Sequence, residues 1–243
     1  MFAIFRATQP FANLLHRKSE IENLAYFAPP QRMEFKPFNP DGETHKFRNH
    51  LPHWRQNGVT YFVTARLGDS IPNATLDAWF KERTLWLRAN ECASVDDVEN
   101  LPEEKRRAFH RHFTEKFHKF LDAGMGECLL RQPPLAQIVA DAFRFFDGQR
   151  YVLGEFVVMP NHVHLLLTPK LDHELSGILQ SLKRHTAREI NKHLGREGSL
   201  WQQESFNHIV RSGEQLAKFQ RYIAENPAKA RLKEGEYLLS SPP

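Results

Sequence analysis

The sequence contains no apolar run approaching the roughly 20 residues a helix needs to cross a bilayer, so no membrane partner is expected. Residues 1–17 are mildly amphipathic, but Arg6, Gln9 and Asn13 interrupt any export-signal core, and the cytoplasm is the expected location. Cysteine is scarce: Cys92 and Cys128 fit no metal-ligand spacing and read as reduced thiols rather than a disulfide. A strong excess of one charge is also missing. Thirty-three Lys and Arg against 29 Asp and Glu leave a net charge of +4 and a pI near 9.1. That is a slight leaning toward an anionic partner, which protonation of the 13 histidines would increase. What is present suffices for a core: 41% of the 243 residues are apolar, among them 19 phenylalanines, which fits one domain with appendages or two small domains.

Residues 1–49 show no persistent period and are punctuated by Pro29-Pro30, Pro37, Pro40 and Asp41-Gly42, so they are expected to be an irregular extension, with Met33 as an alternative start. Ordered structure is expected from His50. Residues 58–67 (GVTYFVTARL) read as a strand. A helix follows from Ala74 to about Asn90, capped by Asn73, and then an acidic connection over residues 91–100. A second, highly charged helix over residues 101–123 carries the stripe Phe109, Phe113, Phe117, Phe120 and Leu121. Pro133-Pro134 opens another helix through Phe146, closed by Asp147-Gly148. Strands over 151–159 and 163–168 are joined by Pro160-Asn161 as a hairpin. An amphipathic helix spans 176–194, a short strand 206–211, and Ser212 caps a last helix expected to stop at Asn226-Pro227. If the helices between 74 and 146 form one crossover, the order is βαββαβ plus a helix. The expected class is therefore α+β: a ferredoxin-like, four-stranded antiparallel sheet with helices on one face, a C-terminal helix and an inserted helical segment.

Two local patterns bear on chemistry. In the strand beginning MPNHVHLLL, residues i and i+2 share a face, so His162 and His164 project together while Val163 and Leu165 point into the core. Two such imidazoles can share a divalent cation, or they can simply sit on a wet sheet face; spacing alone weighs the two equally. On the last helix Leu216, Phe219 and Ile223 form the apolar stripe, and Tyr222 and Asn226 lie one turn apart beside it. A phenol can attack phosphorus and form a covalent intermediate. For a lone tyrosine, packing at the edge of the core is the commoner role.

Taken together, MPNHVHLLL, SLKRHTAREIN, LWQQESFNHIVR and RYIAENPAKARL, in this order and spacing, resemble the IS200-like tyrosine-1 (HUH) transposases, and within them the REP-associated tyrosine transposases. The resemblance covers a domain over residues 50–232, broken by an insertion at about 90–132 and followed by a tail over 233–243. It implies that His162 and His164 bind a catalytic divalent ion (Mg or Mn), that Tyr222 is the nucleophile, and that Asn226 is the third ligand. Phe206 stands where many relatives carry another tyrosine, which leaves Tyr222 as the matching phenol. The implied reaction is attack on a phosphodiester of single-stranded or hairpin DNA. It leaves a 5′-phosphotyrosine and a free 3′-hydroxyl, and strand transfer then reverses the chemistry. Relatives act as monomers or homodimers.

Lys183, Arg184 and Arg188 are the candidate DNA-binding face, or else a solvated helix face. Trp201 is expected in the core, and the Phe109/Phe113/Phe117 stripe against the domain. Two rivals remain: a domesticated DNA-hairpin-binding protein without transposition, and an unrelated His-x-His metallohydrolase. A histidine-triad hydrolase would need a third alternating histidine where Leu166 stands.

Overall fold

Alternation in the strand carrying the two histidines organises the molecule. The computed structural model describes residues 34–39, 45–48, 52–56, 58–93 and 95–240, with the backbone alone at 45–48, 52–55, 96 and 99. All of them lie in one unit, residues 32–243. The expectations for residues 1–33, including Met33 as a start, lie outside the described residues.

The main sheet contains β3 (Tyr61–Arg66), β4 (Tyr151–Val158), β5 (His162–Pro169), β6 (Phe206–Ile209) and β7 (Leu238–Ser240), in the order β6-β3-β5-β4-β7. Every pairing is antiparallel. The first four strands have the ferredoxin-like order. β7 corrects the expected four-stranded sheet: the tail returns to the edge, where Val158 meets Leu238 and Phe156 meets Ser240. An unpaired row of backbone groups on β4 is satisfied in this way.

The extension is also less irregular than expected. A separate two-stranded sheet pairs β1 (His45–Arg48) with β2 (Pro52–Arg55). Residues 34–39 dock on the main sheet through Thr60 N to Lys36 O (2.8 Å) and Phe38 N to Val210 O (3.3 Å), so the ordered fold begins well before His50.

β5 is buried along its whole length, on both faces. On one face Val163, Leu165 and Leu167 meet α4 (Pro133–Phe145) and α5 (Leu175–Leu194) through Leu135, Val139, Phe143, Ile178, Leu182 and Ile190. Trp201 joins this core as expected, donating from Nε1 to Thr186 Oγ1 at 2.9 Å. On the opposite face Phe62, Val157 and Leu166 meet α6 (Gly213–Lys229) through Ile223, Leu216 and Phe219. Ser212 caps α6 by accepting from Gln215 N, as expected. The helix does not stop at Asn226. It runs through a buried Pro227 to Lys229, because a proline in the last turn forfeits one backbone bond while Ala230 N still reaches Asn226 O at 3.0 Å.

The crossover between β3 and β4 has two parts. Only α4 covers the sheet. α1 (Asn73–Ala89) instead pairs with a long helix formed of α2 (Glu103–Phe109), a π-helical turn (His110–Thr114) and α3 (Glu115–Asp122). The expected acidic connection contains a 3-10 turn at Val95–Asn100. Asn73 lies inside α1 rather than capping it; the cap position is Pro72, without a side-chain bond. The phenylalanine stripe therefore packs mainly on α1: Trp79, Leu87, Val98, Phe109 and Phe113 form a third core of their own. The return from this segment passes over the turn at Asp69. There Gly126 (φ +87°) allows an approach so close that a Cβ would lie 2.7 Å from Asp69 O.

A separate core implies separate stability. Phe113→Ala removes a side chain 2% exposed at its centre, a change that costs about 3–5 kcal/mol in a well-packed site. Hydrogen exchange should speed up across α1–α3 while β4 and β5 keep their protection. Equal loss of protection in both regions would show that the helical segment is not an independent unit.

Candidate active site

On the α6 face of the sheet, the alternation that sends Val163 and Leu165 into the first core brings His162 and His164 together. Their ring centroids lie 4.7 Å apart. His162 is 1% exposed and His164 fully buried, which rejects the wet-face alternative for the pair. Each ring is fixed through Nδ1. His164 Nδ1 lies 2.8 Å from Thr64 Oγ1, its register partner on β3, and the ring stacks on Phe62 at 5.4 Å. His162 Nδ1 lies 2.7 Å from Asn161 Oδ1.

The Asn161 contact assigns a tautomer. Asn161 Nδ2 donates to Leu121 O (3.3 Å) and Met125 O (3.0 Å), two acceptors that only an NH2 can satisfy. Its Oδ1 therefore faces His162, so Nδ1 of His162 carries the proton and Nε2 presents a lone pair. Leu121 lies in the last turn of α3 and Met125 just beyond that helix. The insertion thus fixes the histidine through one amide.

Tyr222 and Asn226 sit above the pair on α6. The Tyr222 hydroxyl is 3.5 Å from His164 Nε2, and the two rings meet edge-on at 5.1 Å. Asn226 is fully buried, and neither its Oδ1 nor its Nδ2 has a hydrogen-bond partner. The structure thus brings together all four residues named from the sequence as catalytic or ligating. It also adds two that the sequence reading missed. His118 and Asp122, one turn apart on α3, turn inward: His118 lies 5.2 Å from the Tyr222 ring and 5.8 Å from that of His164. Asp122 Oδ1 stands 4.0 Å from His162 Nε2. A His-x3-Asp pair on a helix face away from the phenylalanine stripe was the available signal.

Burial sets the electrostatics. It lowers the pKa of His162 to about 3, with His118 adding to the effect, and that of His118 to about 4. His164 falls well below its usual value for the same cause, followed by the neighbouring His162 and His118. Burial raises Asp122 to about 6, against the pull of Lys229. Burial first and Asp122 second raise the Tyr222 phenol, and the nearby Asn226 amide opposes them weakly without reaching hydrogen-bond geometry. At neutral pH His162 is thus uncharged, and its approach to Asp122 is not an ion pair.

Four of these side chains leave buried polar atoms without partners: His118 Nε2, Asp122 Oδ1, His162 Nε2 and both amide atoms of Asn226. Such a concentration of orphaned polar atoms is costly in a closed protein and suits a site that receives a cation or a polar ligand. Among the described residues no three His, Cys, Asp or Glu side chains are disposed to hold a metal ion by themselves. A cation here would rest on the Nε2 atoms of His162 and His164 with a neutral oxygen, for which Asn226 Oδ1 is placed one turn from Tyr222, and on substrate oxygens.

The proposed basic face on α5 divides. Lys183 is half-buried and donates to Gln202 O (2.9 Å) and Gln203 O (3.1 Å); burial, then Arg66, lowers its pKa to about 8. It ties the loop before β6 to α5 instead of sharing an open face with Arg184 and Arg188. Those two are exposed and line a surface hollow with Gln180, Ser181 and His185. α5 packs on the sheet face opposite the histidines. Among the described residues no helix is long and apolar enough to cross a membrane.

Comparison with known proteins locates the family signal on these elements. Residues 136–226, from α4 to Asn226, match the family model described as "Transposase IS200 like". A protein of Haemophilus influenzae, provisionally named REP-associated tyrosine transposase, is 29% identical over 82 residues, 30% of this chain. The chain spans about half the length of that relative, 47%. A solved structure of a REP-associated tyrosine transposase bound to a REP hairpin aligns over 75% of this chain and 74% of its own, at 16% identity and a TM-score of 0.39.

The perturbed groups predict a pH dependence for the metal-free protein. His162, His118 and His164 refuse protons that the unfolded chain accepts near 6.5, so unfolding takes up protons below that pH and stability falls as pH drops toward 4. Asp122 acts in the opposite sense, holding a proton in the native state between its unfolded value of 3.8 and about 6. Three histidines against one carboxyl leave a net uptake of about two protons at pH 5. Urea midpoints should fall from pH 7.5 to 5, and His162→Gln should remove about one proton from the slope. A flat profile would contradict the buried, neutral state described.

Proposed function

We propose that the chain is an IS200-like transposase, a metal-dependent single-strand DNA endonuclease and strand transferase with Tyr222 as nucleophile, a reading supported by the match of residues 136–226 to that family's model. The carrying observation is the placement of the Tyr222 hydroxyl 3.5 Å from His164 Nε2, beside the paired histidines and the unpartnered amide of Asn226. The proposed substrate is hairpin-forming, REP-like DNA and the proposed location the cytoplasm; the REP-associated name of the Haemophilus influenzae relative supports the first.

His162, His164 and Asn226 would hold a divalent ion, Mg or Mn. When bound, it supplies Lewis acidity toward a non-bridging phosphate oxygen and fixes the substrate's position. Asn161 and Thr64 hold the two imidazoles through Nδ1, so that both Nε2 atoms face the site. Tyr222 gives up its phenolic proton and its oxygen forms a bond to phosphorus. The bond from phosphorus to the 3′ oxygen breaks, and that oxygen leaves as a hydroxyl after taking up a proton. The 5′ phosphate remains on Tyr222, and a new 3′-hydroxyl reverses the step in strand transfer. The metal-free phenol is held above its ordinary pKa by burial and by Asp122. Positive charge at the histidine pair opposes both causes and favours the phenolate.

The test incubates purified protein with Mn or Mg and labelled single-stranded oligonucleotides carrying hairpins from the neighbourhood of its own gene, and looks for a covalent adduct on a denaturing gel. The adduct should require metal and vanish in Tyr222→Phe and His162→Ala. Asn161→Leu, which releases the His162 ring, should lower its yield about 10- to 100-fold. An adduct that survives Tyr222→Phe would move the nucleophile elsewhere. Tight hairpin binding with no adduct would favour a DNA-binding protein without transposition.

A further inference from the structure

Beside Tyr222 opens a cleft of about 860 Å³. The helical insertion forms one wall, with Arg106, Arg107, Arg111 and Phe117 along it. The other wall is β6 and α6, with Phe206, Asn207, Arg211 and Lys218, and His118, Tyr222 and Lys229 also line the cleft. Glu115 is the single carboxylate among its described lining residues. We infer that this cleft is the track for unpaired DNA adjoining the scissile phosphate, with the insertion as a clamp that presents the strand to Tyr222. The inference rests on the proposed function for the identity of the chemistry at Tyr222.

Three observations carry it beyond net charge. Arginines enter from one wall and Arg211 and Lys218 from the other, so a phosphate backbone would meet cations on both sides. On the track Arg107 pairs with Glu103 (2.6 Å) and Lys229 with Glu225 (2.9 Å). Both are exposed intrahelical pairs of the kind that contributes little and can be exchanged for phosphate. Half-buried Phe117 and Phe206 stand on opposite walls beside His118, whose ring lies 6.1 Å from that of Phe206. Such rings offer faces only to bases that are already unstacked. Asn207 Oδ1 is buried without a hydrogen-bond partner on the same wall, an acceptor suited to a base amino or imino group. The volume suits a few nucleotides and cannot enclose a duplex, so the stem of a hairpin belongs elsewhere. α5 is not a continuation of this track, since it packs on the opposite sheet face.

The test uses full-length protein carrying Tyr222→Phe, so that binding is read without chemistry. Fluorescence anisotropy compares three probes: an unstructured oligonucleotide, a hairpin with an unpaired flank, and the same hairpin without a flank. The triple substitution Arg107→Ala, Arg111→Ala, Lys218→Ala lies on exposed positions and leaves the cores intact. It should weaken the oligonucleotide and the flanked hairpin about tenfold or more, lower the salt slope by roughly two, and leave the unflanked hairpin unchanged. Asn207→Ala should weaken the same two probes with no change in salt slope, since it removes no charge. Equal weakening of all three probes, or of none, overturns the track. A wild-type protein that forms no adduct while the triple variant still loses the unpaired probes overturns the proposed chemistry and keeps the track. An adduct-forming wild type whose triple variant binds every probe normally does the reverse.

Discussion

β5 is buried on both faces, and water is therefore denied to every side chain it carries. An apolar side chain gains from that, but an imidazole loses its hydration on both ring nitrogens and must be repaid by protein groups. At His162 the protein answers on one side only, and at His164 the second nitrogen meets just the Tyr222 hydroxyl at 3.5 Å. Thr64 and Asn161 take the Nδ1 atoms, and no protein hydrogen bond satisfies His162 Nε2. The remaining atoms converge on a small volume with Asn226, Asp122 and the Tyr222 hydroxyl. An architecture that spends polar atoms this way inside a core is unusual for stability alone, and it is the shape expected of a site built around a charged guest.

That arrangement makes the helical insertion part of the site rather than an ornament. Packed on α1 through Trp79, Phe109 and Phe113, it forms with α1 a two-helix arm whose core is separate from that of the sheet. Its end then reaches back to the site twice. Leu121 O and Met125 O orient Asn161, and through it the tautomer of His162, while His118 and Asp122 close the space opposite α6. The π-helical turn at His110–Thr114 lies between the aromatic arm and the inward-turned residues, a position where an extra residue in a helix re-aims the side chains that follow.

Much of this was legible in the sequence because it depends on local periodicity. The two-residue period of MPNHVHLLL placed both histidines on one face, and the 3.6-residue period of the last helix placed Tyr222 beside Asn226. The βαββαβ order gave the sheet. What escaped depended on contacts distant in sequence. The pairing of Leu238–Ser240 with β4 has a weak, short pattern that only the exposed edge rewards. Lys183 looks like its neighbours Arg184 and Arg188 in a list of cations, yet a 100° rotation per residue sends it toward the carbonyls of Gln202 and Gln203. Asp122 reads as one more charge on a charged helix until the fold turns it toward His162. α1 has the composition of a sheet-covering helix, and only the partner stripe from Phe109 to Phe117 draws it away.

The titratable groups share one tendency. Burial lowers the histidines, raises Asp122 and raises Tyr222, so each is driven toward its uncharged form. A site of neutral donors and acceptors in a poorly solvated pocket is weakly polar at rest, but it responds strongly to any charge placed in it, because little water is present to screen that charge. A divalent cation would stabilise the phenolate of Tyr222 and the carboxylate of Asp122 at once. A phosphodiester brought along the basic cleft would supply the balancing negative charge. On the proposed reading the neutral resting state, set by burial and at Tyr222 also by Asp122, is a safeguard: Tyr222 stays a poor nucleophile until cation and strand are both present.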